Sequence, residues 1–270
     1  MFQDIREKTL SDKFIKEGYI VADIINKKSL EFIKEKIKKL SILFLKKNKI
    51  KLKKVTNKDF FDQIHKSLPS KKINDFRLNI LKNVLQDQNI REHYYLLAKS
   101  YLDIIVGNEL SMQRRINLSV QTPNDPTSIL NIHTDVWSGD SPFEVVLWIP
   151  LVDCFKTKRM FIIPPKENEK VFKKKLSSLG IKSTSDLYKY YKKKLKFIDI
   201  NYGQILIFNQ NLLHGGVINR EKTTRWSLNC RFKNIFTPYD EKKLGEFFEP
   251  ITLKPASRIG IKYYNLLKNE

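Results

Sequence analysis

Residues 133–153 read His-Thr-Asp-Val-Trp-Ser-Gly-Asp-Ser-Pro-Phe-Glu-Val-Val-Leu-Trp-Ile-Pro-Leu-Val-Asp. The second half is a β-rich apolar run, set off from the first by the turn signal Ser138-Gly139-Asp140, and it reads as a buried strand over 143–152. The first half carries a histidine and an aspartate two positions apart. On a strand, residues i and i+2 project to one face, so His133 and Asp135 can reach a common point.

The same character extends outward from this stretch. From residue 111 short β-rich runs alternate with turn signals, and strands are expected at 115–121, 130–134, 143–152, 159–163, 197–200, 204–208, 216–218 and 226–236. The breaks are Pro123-Asn124-Asp125-Pro126, Ser138-Gly139-Asp140, Pro164-Pro165 and Asn201-Tyr202-Gly203. Many short strands at this spacing indicate a barrel or sandwich, interrupted by one helical insertion at 166–196. The first 110 residues are mostly helical in pattern. Ser29 is a candidate cap for a helix that begins near Leu30 and ends before Asn48, the extended piece Gly18 to Ala22 precedes it, and 90–106 has helical spacing and stops at Gly107-Asn108. The tail at 241–270 returns to mixed character. With no internal repeat, linker or boundary, 1–270 reads as a single domain whose β core is 111–240.

Composition bounds the function. In 270 residues, 41% are hydrophobic and 17 Phe, 11 Tyr and 3 Trp are present, which excludes a disordered chain. Two cysteines, Cys154 and Cys230, are not a disulfide framework and suit a reducing compartment. The N-terminus lacks the apolar core of a signal peptide, and the longest apolar runs, such as 145–152, are too short to span a bilayer. A soluble, cytoplasmic protein is expected. The net charge is +22, with thirteen Lys in 27–58 and eleven in 166–196. Interleaved with apolar residues, these lysines describe helices with a solvated basic face. Such a charge is compatible with an anionic substrate, a membrane surface or nucleic acid, but the chain has no basic–aromatic motif of an RNA-binding module.

Histidine is scarce, at 65, 93, 133 and 214 only. His65 and His93 fall in helical stretches and carry no assigned chemistry. His214 lies in Leu212-Leu213-His214-Gly215-Gly216, after the 204–208 strand. Two imidazoles and one carboxylate on one side of a metal leave three positions open, the arrangement used for Fe(II) that must bind a co-substrate and O₂. A His-x-Asp pair alone is common. The third element is Thr224-Arg225-Trp226-Ser227, with Arg225 eleven residues after His214. A buried arginine on a strand needs an anionic partner, and its fork fits a carboxylate. The far carboxylate of a dicarboxylate co-substrate is one such partner, with Ser227 sharing it. An internal acid such as Asp199 is the other. Gln113, Arg115 and Asn117 alternate and share a face, either to bind co-substrate or substrate or to lie exposed. Trp137, Ser138 and Asp140 follow the metal strand as rim residues. Trp148 and Trp226 read as core aromatics. Arg231, six residues after Arg225, faces the same side, either to meet a substrate phosphate or carboxylate or to pair internally.

At these residues the chain resembles the phytanoyl-CoA-dioxygenase-like branch of the 2-oxoglutarate/Fe(II) oxygenases, most closely those found sporadically in carbohydrate biosynthesis clusters. Residues 14–21 resemble the family's opening, 133–153 its metal-strand region, 160–165 the segment before a loop, and 203–216 and 224–239 the second histidine and co-substrate arginine. The resemblance covers about residues 10–40 and 111–250. It implies a mainly β fold with α, a double-stranded β-helix (jelly-roll, cupin-like) core with N-terminal helices. It implies Fe(II), 2-oxoglutarate and O₂, with His133, Asp135 and His214 as metal ligands and Arg225 and Ser227 on the distal carboxylate; Gln113 and Asn117 are further co-substrate candidates by their position on the strand alone. The expected function is oxidation, by hydroxylation above all, of a C–H bond in a sugar or sugar-derived intermediate, anionic or nucleotide-activated, with succinate and CO₂ as co-products. Two departures stand out: Pro164-Pro165-Lys166 replaces a Gly-Ser-His loop, and Gly216 replaces a hydroxyl residue. Competing readings are an oxygenase or binding protein acting on a nucleic acid or ribosomal partner, a metal-dependent sugar isomerase or epimerase on a related β-barrel, and an inactive scaffold.

Overall fold

In the computed structural model, which describes residues 3–53, 60–85, 87–173 and 176–267, the chain forms four layers. The basic stretches 27–58 and 166–196 fall partly outside these residues, at 54–58 and 174–175.

The first layer is helical: α1 (Ile5–Glu17), α2 (Lys27–Lys47), α3 (Phe60–Gln63), α4 (Ile73–Leu85), α5 (Gln88–Leu96) and α6 (Lys99–Ile105). Asp4 and Glu7 form a capping box at the start of α1, and Gly18 ends it in the left-handed region at φ 77°, which glycine adopts without a Cβ penalty. For α2 the cap is Asn26, whose side chain accepts from Ser29 N. Ser29 was the sequence candidate, but it sits inside the first turn, buried. Along α2 the buried residues Leu30, Ile33, Ile37, Phe44 and Leu45 follow helical spacing, while Lys27, Lys28, Lys39, Lys46 and Lys47 are exposed, the solvated basic face that the sequence predicts. The helix expected over 90–106 is two helices, α5 and α6, that meet at Leu97-Ala98.

The second layer is a seven-stranded antiparallel sheet of β1 (Tyr19–Asp23), β2 (Leu110–Gln113), β3 (Asn117–Gln121), β4 (Glu144–Pro150), β7 (Gln204–Asn209), β9 (Arg225–Asn234) and β10 (Phe248–Pro250), in the order β1-β7-β4-β9-β2-β10 with β3 also on β9. The third layer is a three-stranded antiparallel sheet of β6 (Lys196–Ile198), β5 (Met160–Ile162) and β8 (His214–Gly216), in that order. The fourth is the insertion, α7 (Pro165–Lys173) and α8 (Thr184–Tyr191). The last helix, α9 (Pro255–Leu267), follows β10. Two facing antiparallel sheets of this kind make a jelly-roll, the cupin-like fold expected from the sequence.

Period-two alternation sorts the side chains between layers. On β9, Trp226, Leu228, Cys230 and Phe232 join Leu147, Ile149, Ile205 and Ile207 in a core against the helices, with Phe44, Phe76 and Tyr94. Their neighbours Arg225, Ser227, Asn229 and Arg231 face the space between the sheets. There Val146, Trp148 and Phe208 of the large sheet meet Met160, Ile162 and Ile198 of the small one. Phe161, Ile163 and Leu213 point the other way and pack under Val171, Leu187 and Tyr191 of the insertion.

Several boundaries differ from expectation for a physical reason. The strand predicted at 130–134 is one isolated bridge, His133 with His214, made by reciprocal backbone hydrogen bonds of 3.0 and 2.8 Å. The strand predicted at 216–218 ends at Gly216. β3 starts at Asn117, and residues 114–116 break from β2. β2 and β10 pair with each other. Glu249 pairs with Arg91, which ties β10 to α5, and with Arg114 at 2.8 Å, which ties it to the segment after β2. Among the described residues no helix is long and apolar enough to cross a membrane. Cys154 and Cys230 are buried and unpaired as a disulfide.

Candidate metal centre and carboxylate pocket

Between the sheets lies a cavity of about 590 Å³ whose lining includes His133, Asp135, His214, Trp148, Arg225, Ser227, Asn229 and Arg231. His133 and His214 are brought together by their mutual bridge, and their rings lie 4.3 Å apart between centroids. Gly215 makes this approach possible: a Cβ there would meet Phe161 Cζ at 2.9 Å and the Leu130 carbonyl at 3.1 Å. Asp135 does not continue a strand. It opens a 3-10 turn, Asp135–Ser138, and its N–H donates to the Gln210 carbonyl at 3.3 Å. The side chain still reaches the histidines, so the sequence expectation that the pair converges holds by a different backbone route. One ligand atom from each of His133, Asp135 and His214 can be chosen so that all lie within 4.8 Å of one another.

The tautomers follow from the partners. His133 Nδ1 meets the Asn131 carbonyl at 2.7 Å and His214 Nδ1 meets the Leu212 carbonyl at 2.9 Å. A carbonyl can only accept, so each Nδ1 carries the proton and each Nε2 is left bare. His133 Nε2 is 3.4 Å from Asp135 Oδ1. Burial pushes the His214 pKa down to about 4, against the pull of Asp135. Burial alone would raise that of Asp135, but its polar neighbours, His133 first and then His214 and Arg231, outweigh it and hold the carboxyl well below the usual range. Two neutral imidazoles with oriented Nδ1–H groups and one ionised carboxylate are a donor set that fits a first-row divalent metal with open positions.

Arg225 is a buried part of the cavity lining. It is 5% exposed. Its Nη1 donates to Gln121 Oε1 at 2.9 Å, its guanidinium lies 5.3 Å over the Trp148 ring, and its buried Nε has no partner. Ser227 Oγ, two residues on and facing the same cavity, is also buried without a partner. Among the described residues no carboxylate forms an ion pair with Arg225. Asp199, the internal acid considered from the sequence, instead pairs with Arg159 at 3.0 Å. Burial lowers the pKa of the guanidinium, against the pull of the Cys154 thiol, whose own pKa burial raises to about 11, so the cation is kept from water beside a neutral thiol and no carboxylate.

The other candidates divide. Asn117 lines the cavity and donates to Asn229 Oδ1 at 3.0 Å. Gln113 does not line it; its Oε1 accepts from Arg231 N at 3.2 Å and Nη1 at 3.1 Å. Arg115 is exposed, so Gln113, Arg115 and Asn117 do not share a face. Ser138 lines the cavity and Trp137 is exposed. Asp140 is no rim residue: it is fully buried, with Lys242 and Arg231 on it. Trp148 is a cavity wall as well as a core aromatic, and Trp226 is core, its Nε1 donating to the Phe61 carbonyl at 2.8 Å. His65 and His93 bond Thr224 and Ser29 hydroxyls, at 2.8 and 2.9 Å. Sequence reasoning missed Gln121, Asn229, Arg77 and Lys242, which also line the cavity. Gln121 and Asn229 sit at polar positions of alternating strands, a readable signal. Arg77 comes from α4, and nothing local announces it.

No protein-family model matches the chain and no curated protein matches it in sequence. Solved structures do. The apo form of ThoJ, a non-heme monooxygenase, is 12% identical over 92% of this chain and 85% of that chain, with a TM-score of 0.53. A ThoJ–Ni complex has the same identity and coverage and a TM-score of 0.52. AviO1 from Streptomyces viridochromogenes Tue57 is 11% identical over 88% of this chain and 100% of that chain, with a TM-score of 0.51. At these identities the similarity establishes the fold.

Proposed function

We propose that the protein is a non-haem Fe(II) oxygenase that takes 2-oxoglutarate as co-substrate, with His133, Asp135 and His214 as the metal ligands and Arg225 and Ser227 on the far carboxylate. The observation that carries this reading is the coincidence, in one cavity, of the triad with a buried arginine that lacks a counter-charge beside a buried hydroxyl that lacks a partner. An uncompensated buried cation is costly unless a ligand supplies the anion, and a bidentate carboxylate suits the guanidinium fork. Likeness of fold to a non-heme monooxygenase supports the class.

With Fe(II), 2-oxoglutarate and O₂ bound, the centre would supply the oxidant for a C–H bond, with succinate and CO₂ as co-products. This chain's own residues do the rest. The Nδ1–H bonds to Asn131 and Leu212 hold both imidazoles with Nε2 facing Asp135. Gln121 orients Arg225. Trp148, Val146, Phe208 and Met160 wall the cavity with apolar surface and exclude water. The half-buried Asn117 and Asn229 line the cavity with amide groups, which suits a hydroxylated small molecule, a sugar or sugar-derived intermediate. The resemblance to carbohydrate-cluster oxygenases and a cytoplasmic location belong to the same proposal.

The test is anaerobic addition of Fe(II) and 2-oxoglutarate, recording the visible band of the chelate. The band is expected in wild type, absent in Asp135→Ala, and to need more 2-oxoglutarate in Arg225→Ala. Metal binding without a band at any 2-oxoglutarate concentration would sink this reading and favour an isomerase, which has no use for Arg225 and Ser227.

A further inference from the structure

Arg231 is the most heavily held side chain at the site. Its Nη2 is 2.8 Å from Asp135 Oδ1. Its Nε lies 3.2 Å from Gln210 Oε1 and 3.4 Å from Asp140 Oδ1, and its Nη1 and backbone N both donate to Gln113 Oε1. Each of these partners is fixed in turn. Gln210 donates to the Ser141 carbonyl at 2.6 Å and to Glu144 at 3.1 Å. Asp140 is completely buried and also bonded to Lys242. The guanidinium is therefore pinned on its sides by groups of β2, of the 139–142 turn and of the segment after β7, and its one remaining corner is presented to Asp135. Asp135 is not on a strand, so no ladder fixes its side chain.

From this we infer that Arg231 is the positioning residue of the triad. It holds the Asp135 carboxylate at the two imidazoles, and Gln113 orients Arg231 rather than touching a co-substrate. Asp140 supplies a second negative charge, so the guanidinium is shared between two carboxylates and does not neutralise Asp135 alone. The inference rests on the reading of the triad as a metal site. Arg231 touches a ligand and not the reacting atoms, so its removal acts through Asp135. Outer partners of ligating groups typically set about 10- to 100-fold in metal affinity.

The experiment is Co(II) titration of the full chain, with the visible d–d spectrum as readout, in wild type, Arg231→Gln, Arg231→Lys, Gln113→Leu and the exposed-site control Arg115→Gln. Thermal unfolding is measured for each. Arg231→Gln is expected to weaken Co(II) binding about 10- to 100-fold and to alter the spectrum, because the carboxylate is free to turn. Arg231→Lys is expected to recover part of the affinity. Gln113→Leu keeps the charge but frees the guanidinium, so it is expected to give a smaller loss in the same direction and covers the case in which Arg231→Gln does not fold. Arg115→Gln is expected to match wild type. A lower melting temperature in the Arg231 and Gln113 variants with Co(II) affinity and spectrum unchanged would overturn the proposal, because the contacts would then serve stability alone. Wild type that binds no Co(II) would overturn the metal reading itself, and this inference with it.

Discussion

Arg225 donates to Gln121 through Nη1 at 2.9 Å while its Nε, equally buried, donates to nothing. The half-satisfied fork is directed into the cavity beside the orphan hydroxyl of Ser227. Losing one partner of a buried charge pair costs about 2–5 kcal/mol, so Arg225→Ala is expected to raise the half-saturating 2-oxoglutarate concentration by about 30-fold or more. Ser227→Ala, which removes one hydrogen bond to a charged group, is expected to raise it about tenfold. Titration of the anaerobic Fe(II) complex measures both.

The two glycines after His214 are expected to behave differently. Gly215→Ala would drive a Cβ into Phe161 and the Leu130 carbonyl. It is expected to destabilise by about 1–3 kcal/mol and to weaken metal binding by separating His133 from His214. At Gly216 the nearest atom to an added Cβ is Arg225 Nη1 at 3.5 Å, an ordinary contact, so Gly216→Ala is expected to fold and bind metal as wild type does. Urea unfolding and Co(II) titration of the pair check this.

Trp226 is completely buried and edge-on to Phe61 and Phe76. Trp226→Ala is expected to cost about 3–5 kcal/mol. Trp226→Phe keeps the ring but strands the Phe61 carbonyl, for about 1–3 kcal/mol. Denaturant midpoints are the measurement.

Glu144 gives a pH signature. Burial, with Asp140 nearby, raises its pKa to about 7 from 4.5. The folded state then holds a proton that the unfolded state has released over roughly that interval. Its contribution is complete below about pH 4.5 and is lost as pH rises through about 7, a swing on the order of 3 kcal/mol. Glu144→Gln is expected to remove that slope. Stability of wild type relative to Glu144→Gln should therefore fall between pH 5 and pH 8; a difference that stays flat would refute the assignment.

The sequence made β9 legible because alternation is local: Arg-Trp-Ser-Leu-Asn-Cys-Arg-Phe sorts polar from apolar with no knowledge of the partners. The convergence of His133 and Asp135 was legible too, though not its cause, since the bridge to His214 and the turn at Asp135 are made with residues about 80 positions away. The role of Gln113 was not readable. The break at 114–116 turns it away from Asn117, and its partner lies across the sheet on β9. Asn26 and Ser29 are equally good caps by type, and only the backbone chooses between them. β10 carries a proline and little β-propensity, and it exists because β2 offers it a ladder.

Besides its apolar packing, the insertion is hydrogen-bonded to the segment before His214 through Asn168. Asn168 of α7 donates to the Asn211 carbonyl at 3.0 Å and accepts from Leu213 N at 2.8 Å, so its amide stands in for a strand partner immediately before His214. Exchanging this helical segment for that of another jelly-roll protein is therefore expected to displace His214, the proposed metal ligand, as well as reshape the surface, and any graft must carry the asparagine with it.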